Sequence, residues 1–139
     1  LKSFKLKSRF TDKRLAEKIA LKAMSDYVRE RDSYTCVTCG KQGTNKQIDA
    51  GHFIPRGYSV WKFDEKNVNA QCKRPCNKDL SGNWPKHFDY MVKTYGQEHV
   101  NKLIAGKFIM VKRTISDYLE IAREYKHKLV ELLETKGEK

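Results

Sequence analysis

Four cysteines fall as two close pairs, Cys36-x-x-Cys39 and Cys72-x-x-x-Cys76, in a chain of 139 residues. Two short cysteine loops on either side of a hairpin bring four thiolates to one point, which is what a tetrahedral zinc ion requires. Disulfides are the competing use. A bridge within either pair would close a tiny strained loop, and residues 1–10 carry no cleavage-site pattern pointing to an oxidising compartment. With sulfur at all four positions such a zinc leaves no place for substrate. The expectation is a structural ion whose binding energy is largely folding energy.

Between and beside the pairs stand Asp49, His52, Arg56, Asn67 and Asn77. An imidazole can take a proton from water near neutral pH, and a carboxylate with an amide oxygen can hold Mg2+ or Mn2+ against a phosphate. His52 taken alone reads more readily as a structural histidine on a short strand. His87 and His99 fall on predicted helices as packing or surface residues, with a phosphate or metal contact the lesser use of His87, and His127 reads as solvated.

These residues need a scaffold. The length suits one domain. A helix is predicted from Thr11 to about Asp32, with Leu15, Ile19, Ala23, Tyr27 and Val28 on its apolar face. A short strand-like run covers 47–54 and ends at Pro55. Helices follow over 81–95 and 97–104, each ending at a glycine, and a last one begins at the capping sequence Thr114-Ile115-Ser116-Asp117. Its expected apolar stripe is Ile115, Tyr118, Leu119, Ala122, Tyr125, Leu129, Leu132 and Leu133. The fold class is α+β: a mostly helical chain around a small zinc-bound hairpin module.

Lys and Arg number 29 against 17 Asp and Glu, a formal charge of +12, and the leading partner is a polyanion. Lys2, Lys5, Lys7 and Arg9 form a basic stretch without an acid, read as an arm over 1–10 that reaches phosphates. No apolar run approaches membrane-spanning length, so neither membrane association nor export is expected. Seven Tyr, six Phe and two Trp argue for a folded chain.

The order Cys36-x-x-Cys39, Ala50-Gly51-His52-Phe53, Asn67-Val68-Asn69-Ala70-Gln71-Cys72, Cys76-Asn77 resembles a zinc-stapled HNH (ββα-metal) nuclease. The longer string, from Tyr27-Val28-Arg29-Glu30-Arg31-Asp32 through Asp49-Ala50-Gly51-His52 to Cys76-Asn77-Lys78-Asp79-Leu80-Ser81-Gly82-Asn83, resembles the phage NinG/Rap recombination endonuclease family over about residues 13–103. The resemblance implies a metal-dependent DNA endonuclease that cuts branched intermediates such as Holliday junctions and D-loops. It implies the cytoplasm of a bacterial host as the place of action, the protein being phage-encoded or prophage-derived. It makes His52 the general base, Asn77 a catalytic-metal ligand and Asn67 the supporting Asn that braces the hairpin loop. HNH sequences usually have an acid or a His immediately before the base, where Gly51 stands here. Asp49, on the same strand face as position 51, is the choice for the first metal ligand.

In this reading 1–10 is the arm and 11–139 a single HNH domain: a basic helix to 32, the zinc and HNH core over 33–84, and C-terminal helices over 85–139. Zinc folds the module, Mg2+ or Mn2+ sits on Asp49 and Asn77, and Arg56 with the basic arm orients branched or duplex DNA. Symmetric cutting of a junction would need two sites, which a homodimer would supply. A zinc-ribbon binder without catalysis is the alternative, since the charge and the thiols suffice for it. A thiol redox protein lacks its βαβ context.

Overall fold

The computed structural model describes residues 2–137, with side chains from Asp12 onward. The elements are α1 (Lys2–Arg31), β1 (Ile48–His52), β2 (Val68–Cys72), α2 (Trp84–Tyr95), α3 (Gln97–Gly106) and α4 (Ile115–Gly137). The class is α+β, mostly helical around one two-stranded antiparallel sheet. Within the stretch read as one domain, the chain groups into two compact units, 28–111 and the pairing of 1–27 with 112–139.

The first glycine of the chain is Gly40, and the residues before it are rich in good helix formers, so α1 has nothing to stop it until Ser33 and Tyr34. Both take positive φ, 54° and 52°, and the Tyr34 N–H bonds back to the Arg29 carbonyl at 2.8 Å, which closes the helix end. The helical backbone starts at Lys2 rather than at Thr11. The Lys2, Lys5, Lys7 and Arg9 side chains lie outside the described residues.

In the unit formed by 1–27 and 112–139, the buried residues of α1 are Ala16, Ala20, Ala23 and Met24, and Leu15 is exposed. The buried face is thus turned from the expected one, because small alanines admit the tyrosines of α4. The Tyr27 and Tyr125 rings lie 5.7 Å apart, and Glu17 hydrogen-bonds Tyr118. Of the stripe expected on α4, Tyr118, Ala122 and Tyr125 are buried, while Ile115, Leu119 and Leu133 are exposed. One partner helix covers only a narrow face. Thr114 and Asp117 cap α4 reciprocally, at 2.8 and 3.1 Å.

In the unit 28–111, β1 pairs with β2 in the register Asp49↔Gln71, Gly51↔Asn69, His52↔Val68. The bonds Lys73 N–H to Gln47 O (2.7 Å) and Phe53 N–H to Asn67 O (2.8 Å) extend the ladder at both ends. The far edge of β2 is also served: Val37 N–H donates to the Ala70 carbonyl at 2.9 Å, and Ala70 N–H donates to the Asp32 carboxylate at 2.8 Å. Every residue of β2 is buried.

Two hydrophobic clusters flank the hairpin. One gathers Cys36, Ile48, Ala70, Cys72 and Cys76, the other Phe53, Ile54, Met91, Val100 and Leu103 with a rim of aromatic rings. The helix expected over 81–95 begins only at Trp84, because Ser81, Gly82 and Asn83 all have positive φ (49°, 89°, 48°) and form a left-handed turn. The next helix matches its expected start and ends at Gly106.

Candidate functional site

The Cys36–Cys39 loop turns tightly, with Cys36 N–H donating to Lys41 O and Gly40 N–H to Cys36 O, both at 2.8 Å, and Gly40 in the left-handed region that favours glycine. Cys72 closes β2. The three residues before Cys76 are absorbed in a wide turn over Lys73–Asn77, closed by Lys78 N–H on Lys73 O at 3.0 Å. As a result the four sulfurs lie within 4.8 Å of one another, a cluster that can hold a zinc ion. All four are free thiols. Burial raises the Cys36 thiol, but hydrogen bonds from the Thr38 hydroxyl and from nearby backbone amides outweigh it and bring the pKa down to about 6. Burial pushes Cys72 up to about 12. A cation among the sulfurs would relieve that cost.

Asn77 follows the last cysteine directly, and the turn carries it to the hairpin, where its Nδ2 donates to Asp49 Oδ2 at 3.0 Å. Lys73 Nζ stands 3.8 Å from Asp49 Oδ1. The structure therefore brings together the two residues singled out as metal ligands, 28 positions apart in sequence. Gly51 is explained by its neighbour on the same face: a Cβ there would run into Gln71 Oε1. Gln71 is fully buried, and its Nε2 donates to Gly82 O at 2.7 Å and to Thr38 Oγ1 at 3.3 Å. Its carbonyl oxygen has no partner. Since Gly82 O only accepts, the amide cannot be flipped to relieve this.

His52 ends β1, three residues after Asp49. Its Nε2 lies 2.8 Å from the Lys62 carbonyl. A carbonyl can only accept, so Nε2 carries the proton and the neutral ring has its lone pair on Nδ1. Burial pushes the pKa down to about 4, aided by the charges of Arg56 and Lys62. The imidazole is thus an unprotonated base at neutral pH. Its hydrogen bond goes to the 53–67 loop, not to the Asp49–Asn77 pair. Asn67 is fully buried in that loop: Oδ1 accepts from Ile54 N–H at 2.8 Å, and Nδ2 donates to Ile54 O at 3.0 Å and Trp61 O at 3.1 Å. It joins both ends of the loop that holds His52. Arg56 is exposed on the same loop.

A second polar network lay outside the sequence reading. The Arg31 guanidinium forks onto Asp32 (2.9 Å twice) and donates to Glu65 O, to Val68 O and, at 3.2 Å, to Asn69 Oδ1. Burial opposes its charge, but the Asp32 carboxylate outweighs this and holds its pKa above the ordinary value. Because Arg31 fixes the Asn69 oxygen, Asn69 Nδ2 must face His87 Nε2, 3.0 Å away, and His87 is neutral with its proton on Nδ1. His87 is buried, with its pKa lowered to about 4 by burial and by the charge of His52. The signal for this network was the Arg-x-Arg-Asp string, a hydrogen-bonding fork before a strand. His99 bonds the Lys66 carbonyl at 3.2 Å, and exposed His127 pairs with Glu131.

Comparison with known proteins follows the same residues. The sequence profile of the family described as "Bacteriophage Lambda NinG protein" matches residues 2–135. The chain is similar to protein ninG of Escherichia phage 933W, 32% identical over 123 residues that cover 87% of this chain and 60% of that one. Protein ninG of Escherichia phage lambda is equally similar, with 59% of its length covered, and that of Salmonella phage P22 is 31% identical over the same number of residues. The chain spans about three fifths of the length of these relatives. No solved structure matches. Among the described residues no helix is long and apolar enough to cross a membrane.

Proposed function

Because the chain belongs to the NinG family of bacteriophage lambda, we propose that it is a metal-dependent DNA endonuclease of HNH type acting on branched recombination intermediates in the host cytoplasm. The observation that carries this reading is the Asp49–Asn77 contact at 3.0 Å beside a four-thiol cluster, with a neutral histidine closing the same strand. A binder stapled by zinc needs none of these three residues. The thiol cluster holds zinc as a structural ion, which fixes the Cys76–Asn77 turn against β1.

The donor set suits Mg2+ or Mn2+: Asp49 offers a carboxylate, Asn77 an amide oxygen once its nitrogen is turned away, and the unpartnered Gln71 oxygen stands on the same strand face. Lys73 shows that the carboxylate already attracts a cation. A divalent ion held there would supply positive charge against the phosphate and the departing 3′ oxygen. His52 Nδ1 takes one proton from water as the water oxygen bonds to phosphorus. The P–O3′ bond breaks, leaving a 5′-phosphate and a 3′ oxyanion that takes its proton from bulk water to become the 3′-hydroxyl. Asn67 acts through the loop, and the Lys62 carbonyl keeps the ring in the tautomer the step needs. Arg56 and the basic N-terminal residues position the backbone without reading bases.

The test is a gel with labelled Holliday junction, D-loop, fork and linear duplex, with and without Mg2+ or Mn2+. Metal-dependent cutting of the branched forms is expected. His52→Ala should lower the rate by a factor of about 10² to 10⁴, the size of a general-base contribution, with binding nearly intact. Tight binding without cleavage in either metal would favour the zinc-ribbon binder instead.

A further inference from the structure

Trp84 opens α2 at the end of the left-handed turn, and its ring stacks on Phe53 with centroids 5.3 Å apart and planes 15° from parallel. Phe53 is buried and follows His52 directly, on the strand face that carries Asp49 and Gly51. Phe88 leans on the same indole at 5.2 Å. Yet Trp84 is 44% exposed. A large apolar ring supported by two aromatic neighbours thus leaves much of its surface in water, where it costs solvation. A cavity of about 330 Å³ lined by Trp84, Pro85, Phe88 and Asp89 lies against it.

We infer that Trp84 is a stacking shelf for one unpaired base of the DNA substrate, which would make it a recognition residue for branch points. The partner class follows from the net charge of +12. Within that class the occupant is a base, not backbone, because Asp89 repels phosphate and its carboxylate accepts from the exocyclic amine of a base. Bases inside a duplex are stacked on both sides and cannot reach an indole. An unpaired base at a junction or fork has a free π-face, and stacking is tolerant of its identity. The inference rests on DNA being the partner, as proposed above, but not on cleavage.

Binding is therefore measured in EDTA, with no metal-dependent cutting, on forked DNA carrying 2-aminopurine at the first unpaired position and on blunt duplex of equal length. On binding the wild-type chain the 2-aminopurine fluorescence should fall, and paired 2-aminopurine in the duplex should not respond. Trp84→Leu should weaken fork binding about 5- to 150-fold, the range of one stacked base, and duplex binding less than about twofold. Trp84→Phe should retain most of the fork affinity. Unchanged fluorescence with the wild-type chain, which needs no variant to fold, would overturn the inference, as would equal losses on fork and duplex. If instead the fork response holds while no metal supports cutting, the shelf stands and the nuclease reading falls.

Discussion

The two ends of the β1–β2 hairpin are held by different forces. At one end Cys36, Cys72 and Cys76 surround only Ile48 and Ala70, with Tyr34 packed outside. At the other, Phe53, Ile54, Met91, Val100 and Leu103 are enclosed by Tyr58, Trp61, Phe88, Tyr95 and Ile104. Hydrocarbon burial holds the second without help. The first has too little of it, and four thiols within reach of one ion replace it. The candidate chemistry is divided the same way: Asp49 and Asn77 hang on the thiol end, His52 and Asn67 on the aromatic end. A perturbation at one end should therefore move one half of the site and spare the other.

The largest effect is expected from removing zinc. Structural zinc sites supply about 10–16 kcal/mol of apparent binding energy, as much as the whole stability of a typical small domain. Chelation, or Cys72→Ser, should abolish hydrogen-exchange protection over the Cys36–Cys39 loop and the thiol end of the hairpin around Ile48 and Cys72, and leave α2 and α3 protected. Leu103→Ala is the contrasting break. It should cost about 2.7–5 kcal/mol in denaturant unfolding and leave one zinc per chain. If chelation leaves exchange protection unchanged, the two ends are not held differently after all.

Next in size is a pH effect confined to the aromatic end. His52 and His87 both titrate near 4 in the folded chain, against an ordinary 6.5. Between those values the unfolded chain binds protons that the folded chain refuses. Stability is then fully present above about pH 6.5 and is lost as pH falls toward 4. Each histidine accounts for at most about 3 kcal/mol, and the two are not additive, because each charge raises the cost of the other. Thiolates lose zinc over part of the same range, so the informative quantity is a difference between chains with the same cysteines. Calorimetry from pH 7.5 to 5 should show His87→Gln losing less stability than the wild type. Equal slopes would mean that His87 is not held neutral by its surroundings.

The thiol end was largely legible in the sequence because cysteine spacing is a local signal with one dominant physical use. The resemblance pointed to Asn77 and, through strand alternation with position 51, to Asp49, and the turn after Cys76 brings the two within 3.0 Å. The aromatic end was less legible. His87 falls on a helix whose buried face is decided by what packs on it, and periodicity alone does not say that Asn69 and Phe53 will. Asn69 and Gln71 are polar residues in a strand buried on both faces, so their partners, Arg31 and Gly82, come from distant segments. The turn over Ser81, Gly82 and Asn83 read as the start of a helix because left-handed backbone leaves only a compositional trace. The stripe on α4 was overestimated for a related reason, since a periodic pattern does not count the helices available to cover it.

The smallest predicted effect probes the candidate metal pair at the thiol end. Lys73 is the first of the three residues between Cys72 and Cys76, and its backbone N–H is tied to Gln47 O at 2.7 Å. That tie fixes where its side chain begins, while the side chain, 43% exposed, carries its ammonium to 3.8 Å from Asp49 Oδ1. A divalent cation entering the Asp49–Asn77 pair must displace it. An exposed pair of this kind is worth up to about 1 kcal/mol, so Lys73→Ala should tighten Mn2+ binding to the zinc-loaded protein by up to about fivefold. DNA affinity should fall slightly, because one cation fewer faces the phosphates and the salt slope shrinks accordingly. Arg74→Ala is the control. That side chain pairs with Asp79 at 3.1 Å instead, so it should lower DNA affinity without changing the metal. Titration calorimetry separates the two variants: opposite signs for metal and DNA in Lys73→Ala place the lysine as a competitor at the metal pair, whereas weaker binding of both would mean that it only steadies the turn between Cys72 and Asn77.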